Sequence, residues 1–137
     1  MKFPQKIPGF KFLLVVWGVY TAVWISLEGE LWRVVLMGVA TTVVAAGYLW
    51  QRWLGGKQVR RGMGVGITAV IGLLIGSGSV VMVLIFMAVK SGLHAHGAEF
   101  RPAEIDWLFS QLPLWTAVGL LTGLGLGLVW VGTGESN

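Results

Sequence analysis

Two histidines, His94 and His96, stand among carboxylates in the segment SGLHAHGAEFRPAEID, residues 91–106. Neutral imidazole nitrogens combined with carboxylate oxygens form a donor set suited to zinc and other divalent transition metals. On an uninterrupted α-helix, residues two apart point in different directions. A shared ion would therefore need the extended or turning backbone that Gly92 and Gly97 allow. His94, His96 and Glu99 make up the candidate metal set. Glu28, Glu30, Glu104 and Asp106 form an outer-loop polar cluster that could approach from neighbouring elements. Imidazole could also ligate a tetrapyrrole metal. The H-x-H pattern is short, however, and the favoured reading of both histidines is hydrogen bonding within a structured loop, ahead of a transition metal or a tetrapyrrole. The chain has no cysteine, which excludes disulfides, thiolate metal sites, thioether haem attachment and a cysteine nucleophile.

General acid and base groups are present, but catalysis also needs a placed substrate and a coherent relay. There is no HExxH pattern and no Ser/His/Asp order that defines one. Ser77 and Ser79 belong to an apolar run and are separated from the histidines along it. GSGS at 76–79 lacks the GxxxxGK spacing and the preceding strand of a phosphate loop. An enzyme is not the favoured reading.

Four apolar segments must position this loop. They predict helices at about 10–27, 31–53, 63–91 and 112–132, with a short interfacial helix at about 102–111. Each main segment is long enough, at roughly 1.5 Å per residue, to cross or nearly cross an apolar layer about 30 Å thick. The runs are apolar all round rather than striped, unlike the helices of a soluble bundle. A β-barrel would show shorter alternating segments. The expected fold class is therefore an all-α integral membrane protein, a four-helix transmembrane bundle in one domain spanning 1–137. The composition agrees: 55% of residues are hydrophobic and only 12% are charged, with a mean hydropathy of +0.78. Lys2 and Lys6 before an apolar run could mimic a signal peptide. SLEGELW after it offers no small-x-small cleavage pattern, so the first segment is expected to be retained as a helix.

The net charge of +4 reads as a topology signal. The basic residues lie between apolar runs, and no nucleic-acid partner is expected. Lys2, Lys6 and Lys11 mark the amino end, and Arg52, Lys57, Arg60 and Arg61 mark the second connection. The first and third connections carry Glu28, Glu30, Glu99, Glu104 and Asp106, with Arg33, Lys90 and Arg101 as their basic residues. This bias predicts both termini in the cytoplasm and residues 91–106 on the opposite side, in a prokaryotic plasma membrane or a thylakoid. Trp32, Trp50, Trp53, Trp107 and Trp130 fall near helix ends, where indole anchors at the membrane interface are expected.

Small residues recur at intervals of four: Gly18, Ala22 and Ser26; Gly38, Thr42 and Ala46; Gly72 and Gly76; Gly119, Gly123 and Gly127. In lipid such strips allow close backbone approach. Gly125 falls on a different face. The predicted span centres contain no ionisable side chain, which weighs against an ion pump or a proton-coupled transporter. Their hydroxyls are expected to bond helix carbonyls. The expected partners are membrane lipid and either another integral membrane protein or further copies of the chain. By elimination, the leading functional expectation is an accessory or assembly subunit of a larger membrane complex. The alternatives are a small oligomeric transporter or permeability protein, and a metal- or tetrapyrrole-binding protein using the 94–99 loop.

Overall fold

The computed structural model describes residues 1–27, 29–93 and 99–133. These form four helices: α1 (Phe10–Ser26), α2 (Leu31–Trp53), α3 (Arg61–Leu93) and α4 (Pro102–Thr133). Three of them, α2, α3 and α4, are long and apolar enough to cross a membrane, whereas α1 is a shorter apolar helix. With 17 residues α1 spans roughly 26 Å, while the 33 residues of α3 span roughly 50 Å.

Local chemistry sets the ends. Gly9 takes a left-handed conformation, φ 74°, and turns the amino-terminal segment into α1. At the start of α4, Pro102 occupies the first helical position, where its missing N–H costs nothing. Glu104 then reaches back to accept a hydrogen bond from the Arg101 backbone N–H at 2.8 Å, one half of a capping box. In α3 the GSGS stretch remains helical. Ser77 and Ser79 donate to the carbonyls of Leu73 and Ile75 at 2.9 and 2.7 Å, four residues back.

The helices expected separately at about 102–111 and 112–132 are one: α4 runs through Pro113 without restarting, from Pro102 to Thr133. An interior proline costs a helix about 3 kcal/mol. Packing on both sides of it accounts for the continuity. Leu108 is fully buried in the core before it, and the Trp115 backbone lies against Gly76 after it. The segment at about 102–111 is thus the first turns of α4.

Packing is serial. α3 makes its most extensive contacts with α4 and then with α2, and α1 leans mainly on α2. Gly72 meets the Gly119 carbonyl, Gly76 that of Trp115, and Gly123 and Gly127 close on Thr68. Partners fall in number along α4 as they rise along α3, so the two helices are antiparallel. Gly38 of α2 sits against the Val83 backbone, and Gly47 sits against the Phe10 ring at the start of α1.

Two clusters close the ends of this arrangement. Trp24, Val34, Val35, Met37, Val80, Val83, Met87, Phe100 and Leu108 form a buried core drawn from all four helices, at the end of the molecule where α1 stops and α2 begins. At the other end the chain start pairs with the α2–α3 connection. The Phe3 N–H donates to the Lys57 carbonyl at 3.0 Å and the Val59 N–H to the Met1 carbonyl at 3.0 Å. This holds the fully buried Phe3 edge-on to Trp50 and Trp130, whose rings stack 6.1 Å apart.

Candidate functional site

The chemistry-bearing residues gather where α1 ends and α2 begins. α1 has no basic residue in its last turn, so its terminal carbonyls and the negative end of its dipole need a partner from elsewhere. Lys90, from the last turn of α3, supplies it. Its Nζ donates to the carbonyls of Trp24 and Ile25, each at 3.0 Å, and lies 4.9 Å from the Trp24 ring centroid. At 1% exposure Lys90 is among the most buried residues of the chain. The sequence places it among the basic residues of the third connection; the structure places it inside α3, as a clamp on another helix.

Glu99, just before α4, approaches the same connection. Its carboxylate is buried against Gly29, where any β-carbon would collide with it. Glu30 caps α2 without a side-chain hydrogen bond and instead pairs with Arg33 at 3.2 Å. The Tyr20 hydroxyl donates to the Arg33 carbonyl at 3.1 Å. The structure therefore brings Lys90 and Glu99 onto the turn that carries Glu30. The other two members of the outer-loop cluster lie apart from it: Glu104 folds back onto Arg101, its carboxylate 3.4 Å from the guanidinium, and Asp106 is exposed. His94, His96 and Glu28 lie outside the described residues. Among the described residues no group of three or more His, Asp or Glu side chains is placed to hold a metal ion.

Several hydroxyls along the helices are turned to their own backbones. Thr21 donates to Trp17, Thr42 to Gly38 and Thr68 to Val65, at 2.8, 2.9 and 2.9 Å. Thr41 receives the Trp17 indole N–H at 2.9 Å. The three threonine bonds stay within their own helices, and the Trp17–Thr41 bond ties α1 to α2.

No known family, curated protein or solved structure matches this chain. Its chemistry therefore rests on its own residues.

The small-residue strips divide into two groups. Gly38, Gly72, Gly76, Gly119, Gly123 and Gly127 are each in close contact with a neighbouring helix. Gly18 and Ala22 are exposed on α1, and a β-carbon added at Gly18 would meet nothing within 4 Å. The tryptophans divide too. Trp32, Trp53 and Trp107 are exposed as anchors would be. Trp50 and Trp130 stack on each other, and Trp24 lies in the core beneath Lys90.

Proposed function

We propose that this protein is a small polytopic membrane subunit, with four helices in the bilayer, that docks to a larger membrane complex through α1. The observation that carries this reading is the uncovered strip of Gly18, Ala22 and Ser26. The glycines of the other strips are each met by a neighbouring helix; this strip lies on the helix with the least extensive contacts within its own chain. Small residues on an exposed face in lipid favour close approach by another helix. The short connections and the self-satisfied hydroxyls support a docking role over a transport path.

A photo-crosslinking residue at Ala22 is expected to capture a different integral membrane protein in native membranes. A matching residue at Gly125, on the open face of α4, should capture far less. Mass spectrometry of the complex purified in mild detergent identifies the partner. Capture of the chain's own copies alone, or of nothing, would remove the accessory reading. The same material should contain no stoichiometric transition metal or tetrapyrrole, because the favoured role of His94 and His96 is structural. Near-stoichiometric metal in the parent, lost in His94→Ala and His96→Ala while assembly survives, would make the 94–99 loop the functional site instead.

In the proposed orientation both termini and the α2–α3 connection are cytoplasmic and residues 91–106 face the other side. Cysteine probes at the exposed positions Arg60 and Arg101 are expected to label from opposite sides of sealed vesicles. Labelling of both from one side would overturn the four-span arrangement.

A further inference from the structure

We infer that the groove between α2 and α4 holds an anionic phospholipid, its acyl chains along the floor of α3 and its phosphate at the basic end of the molecule. This inference rests on the membrane reading above. The groove has a volume of about 1030 Å³ and is lined by Val43 and Trp50 of α2, Ile71 and Ile75 of α3, and Val118 and Trp130 of α4. Val43 and Val118 are exposed, so it opens sideways, where hydrocarbon would lie. On α4 its walls run from Leu114 to Thr133, roughly 28 Å at 1.5 Å per residue, close to the full apolar layer.

Charge selects the occupant. The groove ends at Ile7, Trp50 and Trp130, beneath the segment where Phe3 is paired with the α2–α3 connection. Within two residues of these positions in the chain stand Lys6 and Arg52, and Phe3 brings Lys2 beside it and binds the Lys57 carbonyl. All four cations are exposed. Among the described residues no carboxylate lies at this end, and Glu135, beyond the described part of α4, is the one carboxylate near it in sequence. Clustered basic side chains beside a transmembrane groove attract acidic headgroups, each cation contributing independently of sequence detail. A second copy of the chain is a poorer fit, because a two-fold pair in one membrane would bring two such basic ends together.

The test uses the full chain reconstituted into vesicles of equal phosphatidylglycerol and phosphatidylcholine with matched oleoyl chains. After extraction in mild detergent, retained lipid is counted by native mass spectrometry. Phosphatidylglycerol is expected to be retained at about tenfold over phosphatidylcholine, a modest share of what four nearby cations can supply. Val118→Trp, which fills the groove from an exposed position, should lose the retained lipid. Val15→Trp on the outer face of α1 should keep it, and the combined Lys6→Gln, Arg52→Gln and Lys57→Gln variant should lose the preference. Equal retention of both lipids, retention that survives Val118→Trp, or a disulfide between two copies through Val118→Cys would each overturn the proposal. Failure of the protein to enter vesicles of either composition would overturn the membrane reading first, and that outcome is distinct because it precedes any lipid count.

Discussion

Gly123→Leu is expected to abolish the folded α3–α4 pair, whereas Gly125→Leu, two residues further along the same helix, is expected to leave it intact. A β-carbon at Gly123 would fall on the Thr68 carbonyl and beside the Ala69 backbone, while one at Gly125 meets nothing within 4 Å. The obstacle at Gly123 is backbone, which cannot rotate away as a side-chain tip can. Overpacking a core side chain costs about 1–3 kcal/mol when neighbours can adjust. Here adjustment means separating two helices along the seam that also joins Gly72 to Gly119 and Gly76 to Trp115. The loss should therefore exceed about 3 kcal/mol, the upper end of that range. It would appear in mild detergent as a lowered melting temperature, a broadened elution profile and loss of a disulfide engineered between α3 and α4. Gly123→Ala should fall between the two leucine variants. If Gly123→Leu and Gly125→Leu melt together, the close seam is not what holds these helices.

That comparison marks how far the sequence alone could be read. Intervals of four small residues point to the glycine faces, and Gly125 is correctly separated from Gly119, Gly123 and Gly127 because 3.6 residues per turn places it elsewhere. Periodicity does not tell which strip meets its own chain and which is left uncovered. Gly18 and Ala22 have the same spacing as Gly72 and Gly76, yet only the latter find a helix. In water, polarity on the opposite face would have resolved this; in an apolar-all-round helix there is no such contrast. The same loss of contrast hides the roles of the tryptophans. Trp32, Trp50, Trp53 and Trp130 all sit near helix ends, and only the pairing of residues 1–3 with 57–59, a long-range event, turns Trp50 and Trp130 onto Phe3. The continuity of α4 was also out of reach, since Pro113 is a genuine local break signal that packing on either side overrides.

Of the candidate site, Glu99 was legible as an unusual group but not its seat against Gly29. Lys90 was legible only as one cation at the end of an apolar run. The signal lies in α1, which ends at SLEGE with no basic residue to meet its dipole, so a cation from another element is to be expected. Which cation depends on α3 reaching the level of the α1 terminus, and that follows from helix length and antiparallel packing rather than from residue type.

Lys90→Met is accordingly expected to release α1 while leaving the α3–α4 seam in place. Methionine keeps an unbranched apolar stem, one atom shorter than the lysine side chain, but removes the donor to the Trp24 and Ile25 carbonyls and the charge over the Trp24 ring. Two effects oppose each other at this site. Burying an ammonium group is costly, and replacing a buried charge by a well-packed apolar side chain is sometimes neutral or stabilising. Against that, the variant strips partners from helix-terminal carbonyls in an interior where unmade hydrogen bonds cost about 1–3 kcal/mol each, and it removes the cation from the negative end of α1. The second effect should prevail, because Lys90 serves two acceptors at once where α1 ends. The expected loss is about 2–4 kcal/mol, concentrated in α1. Amide exchange measured in lipid nanodiscs should accelerate through residues 20–27 and stay unchanged through residues 68–76 and 115–123. Lys90→Arg, which keeps the charge but must fit a larger head into a site with 1% exposure, should fall between the parent and Lys90→Met. A methionine variant as stable as the parent, with unaltered exchange at the end of α1, would mean that desolvation cancels the clamp and that something other than Lys90 seats α1.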